Sequence, residues 1–367
     1  MTKTMQPLRR PNIFKISNKE LSQDAFITWL LQWANPACNE LDSLLHQCGK
    51  DFLALVIQCA PEKLELIKHV KAGRQWEHID VWAEISFTDG TQTFLIIEDK
   101  VFGNQHSNQL ERYKKKAHDY CCKNGFELAC AYFKVGNEPL REVEYIMEIG
   151  FKIINRMQIK SCLQPYRDAE HSILTDYVEY INELEDEYLE FEILPPKDWV
   201  KLAWVGFYQF VESNLKIVTW HRVNNPSGGF WNLCLTWEYW NDSIPVYMQI
   251  EQSRLCYKIA LGENETGLNQ SATDINSIQD YVFNSLMSYA KSQGETSIRR
   301  PNQLVHRGSY RTLAVIDLEN WCGDPCKLID KQVVLANLSN IIAFYRNFMD
   351  YINRVSFEAA EIRIKEH

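Results

Sequence analysis

Two segments, HIDVWAEI at residues 78–85 and TFLIIEDK at residues 93–100, decide the fold of the first half of this chain. The first alternates apolar and polar residues, and the second is an apolar run that ends in three charges, so both are typical of β-strands. Asp89-Gly90 between them is a strong signal for a tight hairpin turn. The sequence therefore predicts two adjacent antiparallel strands that bring their acidic residues close together.

Three charged side chains of this hairpin are predicted to share one face of the sheet. Asp80 lies at the start of the first segment, and Glu98 and Lys100 lie two residues apart at the end of the second. Residues two apart on a strand point to the same side, so the side chain of Asp99 points away. A buried strand has no structural need of three consecutive charges, and such conflicts cluster at functional sites. The alternative, in which the acids pair with lysines on a solvated surface, stays open.

Carboxylate and carbonyl oxygens are the ligands that Mg²⁺ prefers, and bound Mg²⁺ polarises phosphate and lowers the pKa of water. The candidate metal ligands are therefore Asp80, Glu98 and the backbone carbonyl of Asp99. Lys100 is the candidate group that orients the attacking hydroxide and stabilises the negative charge that develops on phosphate. The pattern predicts hydrolysis of phosphodiester bonds with Mg²⁺, for which Mn²⁺ is expected to substitute.

The pattern around this hairpin predicts an α/β domain with a central mixed sheet flanked by helices. Helices are predicted at 18–33, 41–58, 108–117 and 169–189, and further strands at 64–70, 126–133 and 151–154. The paired prolines in Leu194-Pro195-Pro196-Lys197 predict a linker. The domains are therefore expected at residues 1–194 and 195–367.

The second half is predicted to be an α+β domain that selects substrate, dimerises or binds a protein partner. Helices are predicted at 199–215 and from 331 to about 355, and strands at 230–237, 246–251, 255–260 and 311–317. Four aromatic residues on or beside these strands suggest a surface on which bases stack, but core packing is favoured because they fall mostly on strand-like segments. They are Trp231, Trp237, Tyr239 and Trp240.

The residues around the hairpin resemble the PD-(D/E)XK nuclease superfamily over about positions 10–135. The aspartate of that pattern corresponds to Asp80, although Ile79 stands where the family name has proline, and the Glu-x-Lys corresponds to Glu98-Asp99-Lys100. The resemblance implies a restriction-endonuclease-like core and magnesium-dependent phosphodiester hydrolysis that leaves a 5′-phosphate.

The resemblance also implies roles for residues on two helices. The glutamine and tyrosine of the family pattern correspond to Gln109 and Tyr113, which lie four residues apart on one helix face. The N-terminal acid of the family corresponds to Glu20, with Asp24 one turn later, whereas the alternative is that Glu20 only meets the dipole of a helix capped by Asn18. Four basic residues beside Tyr113 are candidates for phosphate contacts or for a merely solvated face. They are Arg112, Lys114, Lys115 and Lys116.

The overall composition limits the class of protein. A net charge of −9 argues against a protein that only coats nucleic acid. No long apolar run and no signal peptide are seen, so a cytoplasmic protein without membrane contact is expected. The 11 cysteines lack paired metal-ligand spacings, which favours reduced thiols, and the Cys-x₃-Cys at 322–326 has the wrong spacing for a redox motif.

The predicted activity is a cytoplasmic, magnesium-dependent endonuclease in which DNA is favoured over RNA as the substrate. Defence against phage is one setting for such an activity. Two alternatives stay open: an inert nucleic-acid-binding or scaffold protein of the same fold, and a nuclease that cleaves RNA.

Overall fold

The computed structural model describes residues 11–17, 19–103, 108–224, 229–262, 272–302 and 308–365. The chain is an α/β protein with two compact units, Met1–Asp186 and Glu187–His367. The division falls within one helix, Ser172–Ile193, and the predicted boundary between residues 194 and 195 lies directly after that helix. Asn18, the predicted helix cap, lies outside the described residues. In the described ranges, no helix is both long and apolar enough to cross a membrane.

The first unit is built on a five-stranded mixed sheet. Its strands are β1 (Ile67–Trp76), β2 (Ile79–Phe87), β3 (Gln92–Lys100), β4 (Glu127–Lys134) and β5 (Lys152–Asn155). The spatial order follows the chain, with β1 to β3 antiparallel and β3 to β5 parallel. Strand β3 therefore lies at the centre, with one antiparallel and one parallel neighbour. The predicted mixed sheet is confirmed.

Helices cover both faces of this sheet. They are α1 (Ile13–Ile16), α2 (Lys19–Trp33), α3 (Ser43–Ile57), α4 (Pro61–Leu64), α5 (Gln109–Asn124), α6 (Leu140–Glu148), α7 (Arg156–Leu163) and α8 (Ser172–Ile193). On one face, Phe94 and Ile96 of β3 and Tyr132 of β4 pack with the apolar side of α5. On the other face, Phe133 of β4 meets Phe52 of α3 edge to face. Successive residues of a strand thus face different helices.

The hairpin between β2 and β3 forms where Asp89-Gly90 predicts it. Gly90 has a φ of 86°, which glycine adopts without strain. Oδ1 of Asp89 accepts a hydrogen bond from the backbone N–H of Thr91 at 2.9 Å. The turn fixes the register that pairs Val81 with Ile97.

The sequence reading of the first unit differs from the structure in several elements, and the short helices α1 and α4 were not predicted. The first strand begins at Ile67 rather than residue 64, because Pro61 starts the single-turn helix α4. Helices α6 and α7 were not predicted, although Asn155 and Gln158 form a capping box at the start of α7 that marks a helix N-terminus.

The second unit contains a six-stranded antiparallel sheet with spatial order β10-β11-β9-β8-β7-β6. Its strands are β6 (Thr219–Val223), β7 (Phe230–Trp240), β8 (Ile244–Glu251), β9 (Arg254–Ala260), β10 (Ile298–Arg299) and β11 (Tyr310–Asp317). Its helices are α9 (Lys201–Asn214), α10 (Ala272–Ser292), α11 (Leu318–Trp321) and α12 (Lys331–Lys365). One face of the sheet packs with α9, α10 and α12 in a single large core.

Strands β6 and β10 and helix α10 were not predicted, and α12 extends to Lys365 rather than ending near residue 355. Core packing is confirmed for Trp231 and Trp240. It is wrong for Tyr239, which is 49% exposed. Trp237 is half-buried and packs outside the large core, against a small cluster of Cys234, Tyr247 and Ala260 in which it stacks on Tyr247.

Candidate active site at the ends of strands β2 and β3

The structure brings Asp80, Glu98 and Lys100 together, as their positions in the sequence predict. Val81 pairs with Ile97, and continuing this antiparallel register by one residue places Asp80 of β2 opposite Glu98 of β3. Lys100 is the last residue of β3, two residues beyond Glu98 on the same face. The backbone N–H of Asp99 donates a 3.0 Å hydrogen bond to Oδ2 of Asp80, which ties the start of β2 to the end of β3.

The ammonium group of Lys100 lies against three oxygen atoms. Its Nζ donates to Oε1 of Glu98 at 2.6 Å and to the carbonyl oxygen of Asp99 at 3.1 Å. Oδ2 of Asp80 is 3.7 Å from the same nitrogen. The three predicted metal-ligand oxygens therefore converge on one positive charge.

Helix α5 supplies a second donor to Glu98. Nε2 of Gln109, the first residue of the helix, donates to Oε1 of Glu98 at 2.8 Å and to the hydroxyl of Tyr113 at 3.0 Å. Oε2 of Glu98 is buried and has no hydrogen-bond partner among the described residues. Gln109 therefore reaches the site as predicted, and Tyr113 reaches it through Gln109.

Opposing effects act on the pKa of Glu98. Burial raises the pKa of Glu98 to about 8, repulsion from Asp80 adds to this shift, and attraction to Lys100 opposes it without cancelling it. Burial also opposes the charge on Lys100, but the pairing with Glu98 outweighs it and raises the pKa of Lys100. Lys100 therefore stays protonated near neutral pH, while Glu98 is the partner whose proton is exchangeable.

The side chain of Asp99 enters a different environment on the opposite face of β3. Its Oδ1 accepts a hydrogen bond from Nε2 of Gln23, and Oε1 of Gln23 accepts one from the hydroxyl of Tyr177 at 3.1 Å. Asp24, the next residue of α2, lies close enough to Asp99 for one carboxyl group to hydrogen-bond the other. All four side chains, those of Gln23, Asp24, Asp99 and Tyr177, belong to residues that are 3% exposed or less.

Burial decides the protonation of this acid pair. It raises the pKa of Asp24 to about 6, with repulsion from Asp80 as the next cause. It also raises the pKa of Asp99 well above its ordinary range, with repulsion from Asp24 as the next cause. Oδ1 of Asp24 and Oδ2 of Asp99 accept no hydrogen bond from an N–H or hydroxyl donor among the described residues. A proton shared between the two carboxyl groups would satisfy both.

Glu20 lies at the edge of the site rather than within it. It is exposed on the first turn of α2, and its charge helps to keep Lys100 protonated. A Cβ atom at Gly103 would lie 3.4 Å from Oε1 of Glu20 and 3.8 Å from Cδ of Lys100. Asp24, one turn later, is the acid of α2 that lies within the buried charge cluster.

Lys134 is a member of the site region that sequence reasoning missed. It is 2% exposed, its Nζ donates to the carbonyl of Gly103 at 2.6 Å, and it pairs with Glu138 at 2.7 Å. Lys134 therefore fixes the position of the segment that follows Lys100, at Gly103. The signal was available, because Lys134 ends a buried strand with a charge, as Glu98-Asp99-Lys100 does.

The predicted basic residues of α5 divide into two pairs. Lys114 donates to the carbonyl of Ile149 at 2.8 Å, and Lys116 pairs with Glu77 at 3.0 Å. Arg112 and Lys115 are exposed and have no ion pair within the described part of the chain. The charges of Arg112 and Lys115 are therefore not engaged in an ion pair with a described group, unlike that of Lys116.

The oxygen atoms at this site fit a magnesium ion in chemistry. Two carboxylates and one carbonyl match the preference of Mg²⁺ for a few hard ligands with water completing its shell, and the orphaned Oε2 of Glu98 is available to a cation. A closed cage is absent, since the ranges that the structure describes hold no group of three or more Asp, Glu, His or Cys side chains suited to a metal.

Comparison with known proteins finds no matching family model, no similar curated protein and no similar solved structure. The resemblance to the PD-(D/E)XK superfamily therefore rests on the motif residues, and the geometry described above is the basis for a functional proposal.

Proposed function

We propose that this chain is a magnesium-dependent nuclease of the PD-(D/E)XK type that hydrolyses phosphodiester bonds in DNA. The observation that carries the proposal is the convergence of Asp80, Glu98 and the Asp99 carbonyl on the ammonium group of Lys100. Oxygen ligands and a cation at one point are what phosphodiester hydrolysis requires, since the reaction concentrates negative charge on phosphate. The mixed sheet with β3 at its centre agrees with the core that the resemblance implies.

Asp80, Glu98 and the Asp99 carbonyl would hold the metal, and Lys100 would bind the substrate. A bound magnesium ion supplies Lewis-acid chemistry, because it neutralises charge on phosphate and lowers the pKa of water. Nζ of Lys100 is placed to donate to a phosphate oxygen and to stabilise the charge that develops there. Gln109 keeps Oε1 of Glu98 fixed by its 2.8 Å hydrogen bond. Arg112 and Lys115 would bind the strand beyond the site through its phosphates.

Cleavage by the purified full chain tests this proposal. The substrates are supercoiled plasmid, linear duplex DNA and single-stranded RNA, each with Mg²⁺, with Mn²⁺ and with EDTA. The expected result is metal-dependent cleavage of DNA that falls by about 100-fold or more in Lys100→Ala, because the variant loses the cation aimed at phosphate. Lys68→Ala is the matched control, since Lys68 is an exposed lysine on edge strand β1 of the same sheet.

Other outcomes distinguish the alternatives. Cleavage of RNA alone would keep the chemistry and change the substrate. If the chain binds DNA but does not cleave it with Mg²⁺ or with Mn²⁺, an inert nucleic-acid-binding protein is favoured. Equal cleavage by Lys100→Ala and the unaltered chain would contradict the role of Lys100 and indicate a contaminating nuclease.

A further inference from the structure

The second unit contains a pocket of about 390 Å³ on the face of its sheet opposite the large helix-covered core. Residues of β6, β7, β8 and β9 line it, together with Tyr310 at the start of β11. The pocket has an aromatic wall, because Trp237 and Tyr247 stack with ring centroids 4.5 Å apart and planes 26° apart. Tyr247 is buried, whereas Trp237 is only half-buried and keeps part of its ring accessible.

An irregularity in strand β7 directs Trp237 into this pocket. Trp231, Leu233 and Leu235 point into the helix-covered core, so a regular strand would send residue 237 to the core as well. The pairing with β8 shifts between Cys234 and Thr236, which is a β-bulge. Bulges re-aim side chains and are often found at functional sites. The alternation reverses after the bulge, and Trp237 therefore lines the pocket instead of the core.

The pocket also contains a buried polar atom without a partner. Asn232 lines the pocket and is 1% exposed. Its Nδ2 lies 3.3 Å from Nε2 of His221, but its Oδ1 has no hydrogen-bond partner in the described ranges. A buried carbonyl oxygen without a donor destabilises the protein, so a ligand that donates an N–H here would satisfy it.

The charge of Lys258, which lines the pocket, is already balanced, and Arg222 is a second cationic residue of the lining. Lys258 pairs with Glu251 at 2.7 Å, and Gln249 donates to the same Oε1 of Glu251 at 2.6 Å. The aromatic wall and the unpartnered Oδ1 of Asn232 therefore favour a flat ring with an N–H donor. Its volume lies in the range of small-molecule sites, roughly 300–1,000 Å³.

We propose that this pocket binds a single nucleobase, stacked on Trp237 and hydrogen-bonded through a ring or exocyclic N–H to Oδ1 of Asn232. Nucleobases combine a stacking face with N–H donors on the edge, and aromatic side chains bind them through stacking. The choice of a nucleobase over other flat heterocycles rests on the proposed nuclease function. The base can come from a nucleic-acid strand or from a free nucleotide.

Binding is measured with the full-length Lys100→Ala chain in EDTA, so that cleavage cannot obscure it. The probes are the four deoxynucleoside monophosphates, a single-stranded DNA oligonucleotide of mixed sequence, and an abasic sugar-phosphate strand of the same length. Calorimetry gives Kd, and tryptophan fluorescence reports on stacking. Trp237→Leu and Asn232→Ala are each expected to weaken binding by about tenfold or more, while Trp237→Phe retains most of it. Tyr239→Ala is the matched control, because it removes an exposed aromatic residue of β7 that does not line the pocket.

The two sources of the base are separated by the probes. Saturable binding of a mononucleotide that depends on Trp237 and Asn232 supports a free nucleotide as the ligand, whereas strand binding that is lost with the abasic strand supports a base within nucleic acid. Absence of saturable binding by every probe overturns the proposal, as does equal affinity in the parent protein and in a folded Trp237→Leu or Asn232→Ala variant. Cleavage by the unaltered chain is scored separately, so the pocket and the nuclease proposal can fail independently. Thermal unfolding shows which variants are folded, and Asn232→Ala keeps the test valid if Trp237→Leu does not fold.

Discussion

Glu98 and Asp99 are neighbours on strand β3 and are equally buried, at 1% exposure each, yet their side chains enter opposite faces of the sheet. Glu98 meets the ammonium group of Lys100 and the amide of Gln109. Asp99 meets the amide of Gln23 and a second acid, Asp24, with no ion pair of its own among the described residues. Burial raises the pKa of both carboxyl groups.

Under the proposed nuclease function, this difference would separate a carboxylate that takes part in chemistry, Glu98, from one that positions the strand, Asp99. A cation beside Glu98 allows its charge to form when substrate or metal arrives, so this face can participate in a reaction. The acid pair on the other face is best satisfied by a shared proton, which joins helix α2 to the end of β3. The side chain of Asp99 would then position the strand, while only its backbone carbonyl would belong to the proposed metal site.

Neutralising each carboxylate in turn is the strongest test of this division. Glu98→Gln keeps the size of the side chain but removes a metal ligand, so Mg²⁺-dependent cleavage is expected to fall by about 100-fold or more. Asp99→Asn keeps the acceptor for Gln23 and leaves the backbone carbonyl in place, so the expected loss is less than about tenfold. Initial rates of plasmid cleavage measure both. Comparable losses in the two variants would break the division between the faces.

The contact from helix α5 gives a smaller effect on the Glu98 face. Gln109→Leu removes the donor to Oε1 of Glu98 at similar side-chain size, and cleavage is expected to fall by about tenfold, as is typical when a group that orients a ligand is lost. Tyr113→Phe removes only the hydroxyl that accepts from Gln109, so a smaller loss is expected. Kinetics at several Mg²⁺ concentrations show whether the loss lies in metal affinity. A larger defect in Tyr113→Phe than in Gln109→Leu would show that Tyr113 has a separate role.

Most of the Glu98 face could be predicted from the sequence because its signals are local. The Asp-Gly turn fixes the hairpin, and alternation along β3 then determines which charges share a face. Gln109 and Tyr113 needed the family resemblance, since a polar helix surface looks the same in sequence. For the face of the sheet opposite Glu98, the sequence predicted only that the side chain of Asp99 points there.

The partners of Asp99 could not be predicted, because they come from elements far apart in the chain. Gln23 and Tyr177 are separated by 154 residues, and their meeting depends on how α2 and α8 pack. The bulge at Cys234–Thr236 escaped prediction for a related reason, since a shift in strand pairing is set by the neighbouring strand rather than by local alternation. Trp237 was therefore assigned to the core.

The smallest effect expected is on stability, and it tests the shared proton directly. The folded-state pKa values of Asp24, about 6, and of Asp99 lie above those of an unfolded chain. At this acid pair the folded protein therefore holds more protons than the unfolded chain above about pH 4, and the pair stabilises the fold less as pH rises through 6.

The amide of Asp99→Asn can donate to Asp24 without a proton from solvent. The free energy of unfolding of this variant is therefore expected to be higher than that of the unaltered chain by about 1 kcal/mol near pH 8. Thermal unfolding of both proteins in EDTA from pH 4.5 to 8 measures the difference in their free energies of unfolding. The other acids titrate in both proteins, so their contribution drops out of this difference. The gap should close toward pH 4.5, and it should be absent in Asp119→Asn, which alters an exposed acid on α5. A gap that is constant across this range would mean that Asp99 and Asp24 do not share a proton.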